Sequence, residues 1–293
     1  MTDSASGNSY LIGVDTGGTY TDAAVINAAG HVIIASAKSI TTKGDLSIGV
    51  TDAIKGAIAK LPSGLHPRDI SLVSVSTTLA TNAVVEGHGA QVGVILIGFD
   101  AAMVERTGIA KAFPGMPIAV IAGGHDHGGD AKAPLDIEAL TSAVRGMAVE
   151  AFAVAASFAV RNPSHEHQAR ELIIEATGKP VTLSTELTSA LDAPRRALTA
   201  VLNARLIARI STLIEAVQRA MARLEIVCPL MIVKGDGTLA LAEKVALRPI
   251  ETILSGPAAS LVGAAWLSGR TWTRPQAVAA AENWLESDFE GKR

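Results

Sequence analysis

One cysteine, Cys228, occurs in 293 residues, so the chain has neither a disulfide framework nor a cysteine-built zinc cluster. Basic residues are not in excess: Lys and Arg total 25 against 28 Asp and Glu, a formal net charge of −3. Without surplus cations to neutralise a phosphate backbone, sequence-independent nucleic-acid binding is not expected. No stretch of about 18 uninterrupted apolar residues occurs, which argues against a membrane span. The segment before Asp15 contains no Lys or Arg and only a short apolar run. It does not read as a secretory leader, and a cytoplasmic protein is the expectation. The pattern G-x-x-x-x-G-K-[ST] is missing, which excludes a Walker-type ATPase. Aromatics are scarce at 3%, and Trp266, Trp272 and Trp284 all lie at the C-terminal end. Residues 266–293 therefore read as an atypical tail.

What is present is a core-forming composition, 48% hydrophobic and 18% charged, at a length that suggests about two domains. Strands and helices alternate. Residues 10–16, 21–26 and 31–37 read as a three-stranded meander with a turn at 27–30. Helical spacing covers 45–60 and strands are expected at 71–76, 91–97, 118–122, 151–156, 181–184 and 229–233. Helices are expected at 77–85, 134–149, 162–177, 194–224 and 258–267, with Asn162 capping and Pro163 in the first helical position of the third. The helix over 194–224 carries Arg195, Arg196, Arg205, Arg209, Arg219 and Arg223. A solvated face accounts for them, and a docking surface for another subunit is the alternative. Interleaved strands and helices imply α/β layers. The strand–helix rhythm yields to the long helix near 180–192, which sets domains at 1–185 and 186–265, followed by the tail.

Two stretches carry candidate chemistry. In LIGVDTGGTYTDAAVI, an apolar strand delivers Asp15 into the Gly17-Gly18 turn, and a threonine-rich strand leaves it. Glycines let backbone amides converge on a ligand. Thr16, Thr19 and Thr21 add hydroxyls, and a carboxylate at Asp15 suits hydrated Mg²⁺. A plain glycine hairpin is the alternative. In STTLATNAVVEGHGAQVGVILIGFD, Ser76, Thr77 and Thr78 stand at a strand-to-helix junction, with Asn82 one turn further on. Free amides at a helix start favour an anion, and ordinary capping is the alternative.

These stretches resemble the N-terminal region of the hydantoinase/5-oxoprolinase family. VRNPSHEHQARELI, LDAPRRALTAVLNARLI, PLMIVKGDGTL and RPIETILSGPAAS are similar to the same family's following domain, so the resemblance covers residues 10–265. It implies an actin/sugar-kinase/Hsp70-like ATPase: a ribonuclease-H-like mixed-sheet N-terminal lobe plus an incomplete second α/β domain. Asp15 would be the catalytic acid on the Mg²⁺ side, and Thr16, Gly17, Gly18, Thr19 and Thr21 the ATP-phosphate loop. Ser76, Thr77, Thr78 and Asn82 would lie on the substrate side, and residues 255–262 would form the connecting helix. The implied activity is ATP-dependent opening of a small cyclic amide such as hydantoin or 5-oxoproline. A carboxylase subunit of the same family and a non-catalytic nucleotide-binding module are the rivals. A hydantoinase B-type partner subunit, a homo-oligomer, or both would follow. A second phosphate loop does not follow SGPAAS, so the resemblance implies a C-terminally truncated chain with weak ATP binding and impaired turnover.

A third stretch, GGHDHGGD, offers His125, Asp126 and His127 as ligands for a second divalent metal, against a polar loop as the alternative. His165 and His167 are two apart on a helix, cannot chelate together, and read as solvated first-turn residues. GDGTLA at 235–240 matches a dinucleotide pattern but lacks the surrounding strand–helix–strand unit, so it reads as a turn. Cys228 reads as a buried small residue rather than a nucleophile.

Overall fold

The computed structural model describes residues 10–29, 32–42, 46–85 and 89–267. In chain order these form β1 (Tyr10–Thr16), β2 (Tyr20–Asn27), β3 (Val32–Ile40), α1 (Leu46–Ile58), β4 (Ile70–Thr77), α2 (Leu79–Val85) and β5 (Val92–Ile97). Next come α3 (Ala101–Arg106), α4 (Ile109–Ala112), β6 (Ile118–Ile121), α5 (Ile137–Arg145), β7 (Ala151–Ala156), α6 (Ser164–Thr177), β8 (Val181–Leu183) and α7 (Ser184–Leu187). The chain continues with α8 (Ala193–Arg223), β9 (Leu230–Val233), β10 (Leu239–Leu241), α9 (Ala242–Leu247) and α10 (Ser255–Leu267).

The fold is mixed α/β in two compact units, residues 1–82 with 209–293, and Ala83–Ala208. The first holds a six-stranded sheet in the order β10-β9-β4-β1-β2-β3. β1, β2 and β3 are the expected antiparallel meander, β4 runs parallel to β1, and β9 parallel to β4. Alternation sorts the β1 side chains: Ile12, Val14 and Thr16 are buried, whereas Asp15 is exposed. The buried face packs with Val50, Ala53, Ile54 and Ala57 of α1 and with Ile210, Leu213 and Val217 of α8.

The second unit is a four-stranded parallel sheet, β6-β5-β7-β8. β5 and β7 are buried along their whole length, as VGVILI and AFAVAA suggest for a sheet covered on both faces. Val92, Val94 and Leu96 pack with Ala193, Ala197, Ala200 and Val201 of α8. Ile95, Ile97, Phe152 and Val154 pack with Leu140 and Val144 of α5 and Ile173 of α6. Among the described residues α8 is long and apolar enough to cross a membrane, but more than half of that stretch is buried in protein. Its residues Ala193, Ala197, Ala200 and Val201 belong to the second unit's core, and Ile210, Leu213 and Val217 to the first unit's.

Three expectations change. The linear boundary at 185/186 does not coincide with the two units. β9 adds to β4, so the late part of the chain folds back onto the early part, which a rhythm read along the chain does not reveal. The expected helix 134–149 is only Ile137–Arg145: Asp136 caps it by accepting the Ala139 amide at 3.0 Å. The arginines of α8 are not one solvated stripe. Arg196 is fully buried and Arg205 is buried with its guanidinium 4.5 Å from the Phe113 ring centre. Most of the atypical tail, with Trp272 and Trp284, lies outside the described residues, as do His31 and His88.

Candidate functional site

The C-terminal ends of β1 and β4 lie side by side, with Asp15 opposite Ser76 in register. The Ser76 hydroxyl donates to Asp15 Oδ1 at 2.6 Å. On the other side Asp15 faces Asp22 of β2, and Asp22 faces Lys38 of β3, whose ammonium donates to Asp22 Oδ2 at 2.7 Å. Directly opposed residues share a face of a sheet, so Ser76, Asp15, Asp22 and Lys38 form one polar row across four strands. Asp22 and Lys38 were not singled out in the sequence; the T-x-T-D spacing after the glycines, which puts Asp22 opposite Asp15, was the available signal.

The turn after Asp15 closes when the Gly17 amide donates to the Tyr20 carbonyl at 3.0 Å. A Cβ on Gly17 would lie 3.0 Å from that same oxygen, so the carbonyl would have to give by a few tenths of an ångström. Gly18 and Thr19 are exposed. Asn82 Nδ2 lies 3.6 Å from where a Gly18 Cβ would sit, and Asn82 donates to Thr78 Oγ1 at 3.4 Å. The Thr78 amide donates to Thr16 O at 3.2 Å, tying the β4 exit to the turn. α10 abuts the same end: the Ser255 hydroxyl donates to Thr77 O at 2.9 Å, and its oxygen accepts from Thr77 N at 3.3 Å. The Leu254 amide donates to Thr81 Oγ1 at 2.9 Å. Asp15, Gly17, Gly18, Thr19, Ser76, Thr78 and Asn82 are thereby brought together within the first unit. The glycine turn, the exposed carboxylate and the amide-rich start of α10 fit a Mg²⁺-nucleotide phosphate by the chemistry of their donors.

Thr16 and Thr21 do not offer hydroxyls to this mouth. They pair with each other in register on the face opposite Asp15, and both are buried. Thr21 Oγ1 lies 2.9 Å from Thr41 Oγ1, and Thr16 Oγ1 has no hydrogen-bond partner among the described residues. A two-residue period separates them from the acid, which a count of nearby threonines overlooks. Thr77 is fully buried, and its hydroxyl accepts the Leu79 amide at 3.1 Å, the capping alternative. At the β9 exit, Gly235 donates to Glu251 O at 2.7 Å, and a Cβ there would overlap the Ile253 carbonyl. Burial alone would lower the Lys234 pKa, but the Asp236 and Glu251 carboxylates outweigh it and hold the ammonium above its ordinary value. The glycines of 235–240 thus serve a tight turn rather than a dinucleotide.

The metal ligands proposed in GGHDHGGD do not converge. His127 is exposed, and Asp126 Oδ1 accepts the amides of Gly128, Gly129 and Asp130, which hold its carboxyl below the usual value. His125 is buried at 1% exposure and stacks on His165, ring centres 4.3 Å apart. Among the described residues no group of three or more His, Cys, Asp or Glu could hold a metal ion. His165 is buried rather than solvated, because the loop from β6 folds onto the first turn of α6: the Gly124 amide donates to His165 Nδ1 at 2.9 Å. Burial pushes both imidazoles below the usual histidine value, opposed at His125 by the Asp126 carboxylate and reinforced at His165 by His125.

Next to His165, Glu166 is fully buried and saturated by the Ala156 amide, the Ser184 hydroxyl, and the amide and hydroxyl of Thr185. Arg196 donates to Ser184 Oγ, to the Ala190 and Leu191 carbonyls and to Ala156 O. The pattern NPSHE…S…R carries no local signal for this pair, since the partners meet only through the parallel sheet. Cys228 is half-buried on a cavity of about 410 Å³ shared with Met221, Val227 and Leu241, and burial pushes its thiol up, away from nucleophilic character.

Comparison with known proteins places the chain in a family. Residues 11–177 match the model of the hydantoinase/oxoprolinase N-terminal region, and residues 196–278 that of hydantoinase/oxoprolinase. The chain belongs to the hydantoinase/oxoprolinase family. It is 28% identical over 272 residues to caprolactamase subunit alpha of Pseudomonas jessenii, covering 86% of this chain and 39% of that protein. It is 29% identical over 294 residues to the acetophenone carboxylase gamma subunit of Aromatoleum aromaticum, covering 88% and 39%. The chain spans about two fifths of the length of these curated relatives. Among solved structures it is similar to the ATP-dependent caprolactamase from Pseudomonas jessenii, with TM-score 0.69, 27% identity, and coverage of 85% of this chain and 39% of that one. Nucleotide-free acetone carboxylase shares the fold at TM-score 0.73 and 19% identity, with coverage of 89% and 41%. The family thus contains ATP-dependent amide hydrolases and ketone carboxylases, and two of these relatives are named as enzyme subunits.

Proposed function

We propose that this chain carries the phosphate-binding part of an enzyme that uses ATP to activate a carbonyl oxygen, with opening of a small cyclic amide as the reaction. The observation that carries this reading is the exposed Asp15 carboxylate, oriented by the Ser76 hydroxyl beside the Gly17-Gly18 turn. A ring amide resists water because resonance lowers its electrophilicity. ATP with Mg²⁺ would supply the phosphoryl group that makes the amide oxygen a leaving group.

The residues' own tasks follow from their positions. Asp15 offers a carboxylate to the hydrated cation, and Ser76 fixes the direction of that carboxylate. Gly18 and Thr19 present backbone and hydroxyl donors, and Gly17, whose amide closes the turn on Tyr20, adds no side chain that would occupy the phosphate's place. Thr78 and Asn82 line the turn on the β4 side, where substrate or phosphate is approached. The names of the relatives support a second reading, a ketone carboxylase subunit, since 29% identity to acetophenone carboxylase gamma matches the 28% to caprolactamase alpha. Both activate a carbonyl compound with ATP. Both also point to a partner subunit, in keeping with a hydantoinase B-type chain.

The test is a screen of MgATP consumption by the chain with its candidate partner subunit. Lactams, hydantoins and 5-oxoproline are offered in one arm, ketones with bicarbonate in the other. Consumption stimulated by a cyclic amide and abolished by Asp15→Asn supports ring opening. Stimulation only by ketone and bicarbonate replaces it with carboxylation.

A further inference from the structure

Asp15 and Asp22 pair directly across β1 and β2, two like charges on one face of the sheet. Opposed carboxylates repel each other and weaken a strand pair. The register cannot relieve this. A slip of one residue would turn Ile12, Val14, Ala23 and Val25 out of the core. The two acids are therefore held side by side by the same alternation that builds the sheet.

The pair is secured from its two outer sides. Ser76 donates to Asp15 Oδ1 at 2.6 Å, and the Lys38 ammonium donates to Asp22 Oδ2 at 2.7 Å. Lys38 is braced in turn by Tyr20, which shares the face two residues before Asp22. The ammonium lies 5.0 Å from the Tyr20 ring centre. Asp15 Oδ2 and Asp22 Oδ1 have no hydrogen-bond partner among the described residues, so each acid keeps one oxygen for a ligand. Stability does not account for the arrangement. The Lys38 and Asp22 side chains are 57% and 48% exposed, and an ion pair so exposed contributes at most about 1 kcal/mol. Two carboxylates and one ammonium leave the row one net negative charge. A magnesium ion suits such a place, because it is commonly held by one or two carboxylates together with substrate phosphates and its own waters.

We propose that Asp22 is a second carboxylate for the hydrated cation at Asp15, and that Lys38, braced by Tyr20, is the positioning residue that keeps Asp22 in place. This rests on the phosphate-binding reading of Asp15. Asp22 offers one oxygen to the cation or to one of its waters. Lys38 holds the other oxygen and stops the carboxylate from swinging away from its like-charged neighbour. The consequence is a difference in sign. Asp22 attracts the magnesium complex of a nucleotide but repels the metal-free triphosphate. A residue that only supported the fold would, when removed, weaken the binding of both.

The experiment is a calorimetric titration of the full chain with MgATP in one arm and with ATP plus a chelator in the other. Asp22→Asn should weaken MgATP binding about tenfold and leave metal-free ATP binding unchanged or tighter. Lys38→Met should weaken MgATP binding about threefold, and Lys38→Arg should restore it. All three variants should keep the wild-type unfolding midpoint, since both side chains are exposed. MgATP affinity that falls in Asp15→Asn but not in Asp22→Asn overturns this proposal and leaves the reading of Asp15 standing. Equal weakening of MgATP and metal-free ATP by Asp22→Asn overturns it as well. MgATP binding unchanged or tighter in Lys38→Met overturns the positioning role. No MgATP binding by the wild-type chain overturns both this proposal and the reading on which it rests.

Discussion

Asp15 and Ser76 face each other across two parallel strands, and the serine hydroxyl donates to the carboxylate over 2.6 Å. The bond joins residues 61 apart in sequence at the mouth of the first unit's sheet. It also fixes which way the acid points. Ser76→Ala should weaken Mg²⁺-nucleotide binding by about 1 kcal/mol, the net worth of one hydrogen bond, without loss of fold. Asp15→Asn should weaken it more, by about 2 kcal/mol, since a charged acceptor is lost. Calorimetric titration of the two variants checks the order; equal and unaltered affinities would remove Asp15 from the site.

Thr16 supplies a contrary test of the same turn. Its buried hydroxyl has no hydrogen-bond partner among the described residues, and it faces away from Asp15. Thr16→Val replaces an unsatisfied hydroxyl with a methyl group of similar shape. It should be neutral or stabilising by about 1 kcal/mol in thermal unfolding and leave nucleotide affinity unchanged. A large loss of affinity would return Thr16 to the phosphate-holding role that the sequence suggested.

The buried pair Glu166 and Arg196 meets through Ser184 Oγ and the Ala156 peptide. Burial pulls the Arg196 pKa down, with Glu166 and Asp192 opposing. Removing one partner leaves an uncompensated charge in the core. Arg196→Met or Glu166→Gln alone should cost about 3–5 kcal/mol in denaturant unfolding, and the double variant less than the sum. Additive losses would mean that the two groups act independently.

Acid should loosen the second unit. His125 and His165 have folded pKa values below the ordinary 6.5 because burial disfavours their charged forms. The unfolded chain therefore binds more protons below that value, so stability is complete above about pH 6.5 and falls as pH drops through the lowered folded values. Protonated His165 can no longer accept the Gly124 amide. Unfolding midpoints measured from pH 7 to pH 5 should decline, and His125→Phe with His165→Phe should flatten the slope. An unchanged slope in the double variant would place the titrating groups elsewhere.

Much of the fold was legible along the chain because its signal is local. β1 at Tyr10–Thr16 and β7 at Ala151–Ala156 have the expected bounds, set by apolar runs ending at glycine or polar residues. The acid, the glycine pair and Ser76 could also be read, as residues clustered at strand ends. What could not be read depends on register and on contacts distant in sequence. Thr16 and Asp15 differ by one position, so only pairing tells which faces the mouth. His165 looked solvated because nothing in its helix announces that Gly124 will fold onto it. Arg196 looked like one more surface arginine until the parallel sheet brought Glu166 to it. The return of β9 to β4 likewise leaves no trace in local spacing.

The most direct test of the nucleotide reading is a residue-resolved MgATP titration of the ¹⁵N-labelled chain. The expected result is progressive, saturable shifts centred on the amides of Gly17, Gly18, Thr19 and Ser76 that vanish in Asp15→Asn. Shifts absent from that turn at millimolar MgATP, or equally present without the Asp15 carboxylate, would contradict it.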